Sequence, residues 1–151
     1  MTIHLRPHHL LCMLTFAGKG YSPDFIANFD RITAQIAAGS QTPGGVNVNI
    51  TFAPDDICAP LLAEASCHCR NASVSERDIL AAASLAQLLQ QPIEPDTQLA
   101  LTAATLDRMR RAFQQGTIRR ACHGCQWVPL CDEIAASSFI DTHLLASRPR
   151  D

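Results

Sequence analysis

Seven cysteines carry the strongest chemical signal in this chain of 151 residues. Three of them form a C-x₂-C-x₅-C pattern at Cys122, Cys125 and Cys131. Two thiolates three residues apart can bind one metal centre from a tight turn, and Gly124 makes that turn easy. The third thiolate follows at the start of a predicted helix, whose N-terminus favours the negative charge of a thiolate-ligated cluster. The pattern therefore predicts a metal centre, and an iron–sulfur cluster of the [4Fe–4S] type is favoured over zinc.

Three local thiolates need a fourth ligand from elsewhere in the chain, whether the centre is a cubane cluster or a tetrahedral zinc. Cys58 is the first choice because it follows a predicted strand and is held by a rigid element. Cys69 is the second choice, and Cys67 is interpreted as a spare thiol. Cys12 is a weaker candidate, because a cysteine on an apolar helix is often a core residue. The full set of predicted metal ligands is Cys58, Cys69, Cys122, Cys125 and Cys131, with Cys12 as a weaker member.

Two histidines lie beside Cys12 at helical spacing. His8 is four residues before Cys12 and His9 is three residues before it, so both imidazoles lie on the thiol's side of a helix. They are the candidate catalytic residues, as metal ligands or proton donors, and the alternative is a capping or core hydrogen-bonding role. The sequence does not decide between these roles, or whether the protein is an enzyme.

Composition restricts the class of protein. Hydrophobic residues make up 47% of the chain and charged residues 17%, which is enough apolar material for a packed core. The formal net charge of −2 and the small aromatic fraction of 5% give no reason to expect a nucleic-acid partner. No apolar run is long enough to span a bilayer, and no complete secretory signal is visible. We therefore expect a cytoplasmic protein that does not bind membranes, and its oligomeric state stays open.

Hydrophobic periodicity predicts a helix-rich α+β fold of about five helices and a strand or small sheet. Residues 1–151 are expected to form one compact domain held together by the metal centre, with 147–151 as a frayed tail. The predicted strand is 46–52, because its residues alternate strictly. Five helices are predicted. The first is 7–17, the second begins at Ser22-Pro23 and ends at Gly39, and the third is capped by Ser75 with Asp78 in a capping box. The fourth runs from Thr102 to Gly116, and the fifth lies near 129–138.

Two resemblances support the cluster prediction. The cysteine spacing resembles the cluster loop of DNA glycosylases of the endonuclease-III type, but Gln115 stands where their first cysteine falls, and no glycosylase catalytic motif is visible. Over most of its length the chain resembles the family called domain of unknown function 1284. The matching segments are 6–12, 18–23, 54–58 and 122–131. This resemblance implies iron–sulfur binding through the matching cysteines, without an activity. Many relatives place a second cysteine where this chain has Leu61.

Three functions remain open on this basis. The first is a small redox or electron-transfer protein that meets a redox partner protein. The second is a structural zinc or iron–sulfur module that binds a macromolecule through an arginine-rich helix including Arg110 and Arg111. The third is an enzyme whose cluster acts as a Lewis acid, with His8 or His9 as proton donor.

Overall fold

The structure is a computed structural model that describes residues 3–16, 23–52, 55–57, 72–119 and 128–136 and positions 139, 142 and 144, without the side chains of 72–75 and 128. The described part contains five helices and a small sheet, so the predicted helix-rich α+β class is confirmed. The predicted tail at 147–151 lies outside it. The helices are α1 (Pro7–Thr15), α2 (Pro23–Ser40), α3 (Ala72–Leu89), α4 (Ala103–Gln115) and α5 (Val128–Ala136). The strands are β1 (Ile3–Leu5), β2 (Val46–Ile50) and β3 (Gln98–Leu101).

The three strands form a mixed sheet in the order β1-β2-β3. β2 is the central strand, parallel to β1 with Ile3 opposite Val48, and antiparallel to β3 with Val48 opposite Leu99. Val48 and Ile50 are buried on one face of β2, as its alternating sequence predicts. β1 was not predicted, because three residues are too few to show a period.

The second helix forms as its apolar spacing predicts. Phe25, Phe29, Ile32 and Ile36 are all buried. Phe29 stacks on Phe16 with ring centroids 4.2 Å apart, which joins α2 to the end of α1. The prediction that Gly39 ends α2 is wrong by one residue, because the helix continues to Ser40. The small residue is required there for packing, since a Cβ on Gly39 would lie 2.6 Å from the Cβ of Val46.

The fourth helix has both of its predicted ends. The hydroxyl of Thr102 accepts a hydrogen bond from the Thr105 N–H at 3.1 Å, and Gly116 ends the helix with φ 79°. Leu106, Met109 and Phe113 are buried along one side.

The first helix is short and mostly buried, and it packs against α3, α4 and α5. The prediction that Ser75 caps α3 is wrong, because α3 begins at Ala72 and includes Ser75. Asp78 is turned toward α1, as described below. The neighbouring Ile79 is 60% exposed. None of the described helices is long and apolar enough to cross a membrane.

Candidate functional site: paired histidines and cysteines on one helix

The start of α1 is held by two buried carboxylates from distant parts of the chain. Pro7 occupies the first turn, where its missing N–H costs nothing, and Arg6 at the N-cap position makes no side-chain cap. Instead, the Arg6 N–H donates to Asp55 Oδ2 at 2.8 Å and the His8 N–H donates to Asp78 Oδ1 at 3.2 Å. These bonds satisfy donors that a helix leaves free at its N-terminus, where negative charge is also favourable.

Asp78 joins three donors at one buried point. Its side chain is 0% exposed, and Oδ2 accepts from the Arg6 Nε–H at 2.8 Å. Oδ1 lies 2.6 Å from His8 Nδ1. The guanidinium of Arg6 is itself only 1% exposed, so this is a fully buried ion pair shared with an imidazole.

Asp55 forms a second and separate pair with the neighbouring histidine. Its Oδ2 lies 2.7 Å from His9 Nδ1, and its Oδ1 accepts from the Ile57 N–H at 3.0 Å. The adjacent Asp56 accepts from the His4 N–H at 2.8 Å, which fixes the same segment to β1. The sequence interpretation of Asp55 and Asp56 as turn or cap residues omitted these long-range bonds.

The two carboxylates determine which nitrogen of each ring is free. An ionised carboxylate can only accept, so Nδ1 carries the hydrogen and Nε2 of a neutral ring has a lone pair. The pKa of His8 is lowered from 6.5 to about 4, mainly by burial and next by the nearby His9. The bond to Asp78 opposes this, but Arg6 already compensates the charge of that carboxylate. His8 is therefore neutral at neutral pH, which makes it an acceptor or ligand there and a poor proton donor.

The rings of His8 and His9 lie side by side and are mostly buried. Their centroids are 4.3 Å apart and the rings are tilted by 55°. The side chains are 15% and 11% exposed, and neither Nε2 has a hydrogen-bond partner in the described part of the chain. The candidate residues predicted from helical spacing thus form a pair of oriented imidazoles with one free nitrogen each.

Cys12 lies one turn further along α1, and Cys131 lies on the neighbouring helix α5. The Thr15 hydroxyl lies 3.3 Å from the Cys131 sulfur, across 116 residues of sequence, and 3.3 Å from the Cys12 carbonyl oxygen. Both cysteines are half-buried and pack against the core. The other predicted ligands, Cys58, Cys69, Cys122 and Cys125, lie outside the described residues, as does Cys67. Within the residues that are described, no group of three or more potential ligands is arranged around a metal site.

The arginines in and after α4 differ in exposure, since Arg110 is buried whereas Arg108 is exposed. Arg110 is 6% exposed and its guanidinium donates to Asp107, while Arg108 donates to the carbonyl of Leu88. Arg119 pairs with Asp132 and lies 4.5 Å from the ring centroid of Phe113. Arg111 is exposed. The described part of this segment therefore does not form a continuous basic surface.

Comparison with known proteins gives one match. The family described as protein of unknown function (DUF1284) matches residues 20–131. The matched range includes Cys58 and the loop Cys122–Cys131, and it begins after the histidine segment at 6–12. No curated protein and no solved structure matches the chain.

Proposed function

We propose that this chain, which belongs to the DUF1284 family, is a small iron–sulfur protein that transfers electrons. The proposed ligands are Cys122, Cys125, Cys131 and Cys58, around a [4Fe–4S] cluster. Bound there, such a cluster supplies reversible one-electron transfer. Zinc in the same thiolates is the alternative, and it would make the centre structural.

One observation carries the proposal: the Thr15 hydroxyl of α1 lies 3.3 Å from the Cys131 sulfur of α5. The C-terminal cysteine pattern therefore reaches the helix that also carries Cys12. Cysteines carried on adjacent helices after such a sequence separation favour a shared centre over unrelated core residues.

The described flanks of the other cysteines lead toward the same helix. Ile57 immediately precedes Cys58, and Asp55 holds this segment to His9. On the far side of Cys69, α3 begins at Ala72 and is held to α1 by Asp78. Seven residues separate His8 from Thr15, which is about 10 Å of helix. Asp55 and Asp78 thus hold against α1 the two described segments that flank Cys58 and Cys69.

The surroundings of Cys131 suit a thiolate. Cys131 lies in the first turn of α5, where the helix dipole favours negative charge. The Thr15 hydroxyl can donate to its sulfur, and such hydrogen bonds stabilise thiolates and tune cluster potentials. Cys131 and Leu130 also pack against the core, which limits the access of water to this side.

The test begins with anaerobic purification, followed by measurement of iron, sulfide and zinc and of the visible spectrum. Matched iron and sulfide, a broad visible absorption and reversible one-electron reduction are expected. A colourless protein with bound zinc would select the structural alternative. Protein without any metal would contradict both.

Cysteine variants then identify the ligands. Cys125→Ser and Cys58→Ser should each lower the iron content, whereas Cys67→Ser is the matched control and should retain iron and the spectrum. Cys12→Ser distinguishes a ligand from a core thiol. If Cys125→Ser and Cys67→Ser retained the same iron content, the proposed ligand set would be wrong.

A further inference from the structure

We propose that His8 and His9 bind a divalent transition-metal ion through their two Nε2 atoms, at a site independent of the cysteine-ligated centre. The proposal does not depend on the iron–sulfur assignment, because it uses other ligand atoms on a different turn of α1.

The first argument is the orientation of the rings. Metal-binding histidines commonly donate their other ring N–H to a carboxylate, which fixes the ring and makes the free nitrogen a better ligand. Both rings have this arrangement, with Nδ1 at 2.6 Å from Asp78 and at 2.7 Å from Asp55. Two consecutive histidines with separate buried carboxylates are more than a helix cap requires, since backbone N–H groups alone would suffice for that.

The second argument is access. The ring centroids are only 4.3 Å apart, so one ion can approach both rings. The side chains are 15% and 11% exposed, so a small part of each reaches solvent. Hydrogen bonds from the described residues reach Nδ1 and not Nε2 of either ring.

The third argument is charge. Among the described residues, the charged groups bonded around the two rings are the carboxylates of Asp55 and Asp78 and the guanidinium of Arg6, two negative charges against one positive. A cation is therefore favoured over an anion at this surface, although a helix N-terminus alone would favour an anion.

The fourth argument concerns the kind of ion. Imidazole suits zinc, nickel, copper and iron, whereas calcium and magnesium prefer oxygen ligands. No third histidine, cysteine or carboxylate among the described residues completes the ligand set. The inferred site thus offers two fixed nitrogens and leaves the remaining positions for water or a small oxygen-containing ligand, as in catalytic rather than structural metal sites.

The test uses Ni²⁺ as the probe on the full chain, purified anaerobically with its native cysteine centre. Calorimetric titration of wild type is compared with the double variant His8→Asn/His9→Asn. Asparagine keeps an N–H donor near the position of Nδ1, so the bonds to Asp78 and Asp55 can persist, but it removes Nε2. Wild type should bind one equivalent of Ni²⁺ that the double variant lacks, and His4→Asn, the matched control at an exposed histidine, should retain it.

A second measurement needs no variant. Paramagnetic Ni²⁺ should broaden the ring NMR signals of His8 and His9 at substoichiometric concentration, before those of the exposed His4. Equal stoichiometry in wild type and the double variant would overturn the proposal. So would loss of the equivalent in His4→Asn, or broadening of His4 in preference to the paired rings.

Discussion

Replacement of Asp78 by asparagine should destabilise the protein strongly, because this residue closes the buried contact between α1 and α3. The carboxylate is 0% exposed and accepts from Arg6 Nε, His8 Nδ1 and the His8 N–H. Asparagine offers one acceptor oxygen, and its NH₂ group faces a donor on the other side. The variant also removes the negative charge opposite a guanidinium that is 1% exposed.

The expected loss follows from burial. Removing one partner of a buried ion pair costs about 3–5 kcal/mol, which is a large part of the roughly 5–15 kcal/mol that stabilises a typical domain. At about 2–4 °C per kcal/mol for a chain of this size, the thermal midpoint should fall by roughly 6–12 °C or more. Circular dichroism at a fixed scan rate under nitrogen measures this shift.

Asp132→Asn is the matched control. Asp132 pairs with Arg119 but is 56% exposed, so its loss should cost about 0–1 kcal/mol. In the double variant Arg6→Gln/Asp78→Asn, the unpaired charge is removed, and the combined loss should be smaller than the sum of the single losses. Equal midpoints for Asp78→Asn and Asp132→Asn, or strict additivity in the double variant, would refute the assignment of a buried ion pair.

Three further predictions test other parts of the molecule. Because folding lowers the pKa of His8 from 6.5 to about 4, the unfolded chain binds this proton more tightly, so the contribution of His8 to stability is complete above pH 6.5 and is lost as pH falls toward 4. When the pH is lowered from about 7 to 5.5, the free energy of unfolding measured with urea should fall by about 1 kcal/mol more in wild type than in His8→Asn. Equal decreases in the two proteins would contradict this prediction. Thr15→Val removes the hydroxyl beside the Cys131 sulfur, so voltammetry should give a lower reduction potential of the cluster with an unchanged iron content. An unchanged potential would mean that the hydroxyl does not act on the cluster. Gly45→Ala should destabilise the protein more than Gly44→Ala. Both glycines have positive φ, but only a Cβ at Gly45 would approach the Leu101 oxygen, at 2.4 Å. Equal urea midpoints for the two variants would exclude that close approach.

The sequence predicted those elements whose signals are local. The stripe of α2 is visible because Phe25, Phe29, Ile32 and Ile36 recur within the helix itself. The ends of α4 are equally local, since Thr102 and Gly116 act on backbone groups of their own helix.

The missed features are those that depend on distant partners. β1 exists because Ile3–Leu5 pairs in parallel with β2, across more than forty intervening residues. Asp78 has the spacing of a capping box after Ser75, but its carboxylate bonds to Arg6 and His8, 72 and 70 residues away. The spacing of His8, His9 and Cys12 was therefore informative about which residues share a face, and it contained no information about the carboxylates that orient the rings.

The length of α1 explains why its contacts matter for the proposed chemistry. A helix of nine residues is too short to be stable alone, so its formation depends on the elements packed around it. Asp55 and Asp78 hold its first turn, and each belongs to a segment that adjoins a cysteine outside the described residues. Its last turn meets Cys131 through Thr15. A metal bound by those cysteines would restrain the segments that hold α1, and an intact α1 would keep the cysteines near one another. Binding of a metal by the cysteines is therefore expected to stabilise α1, while the histidine pair keeps its own separate ligand atoms.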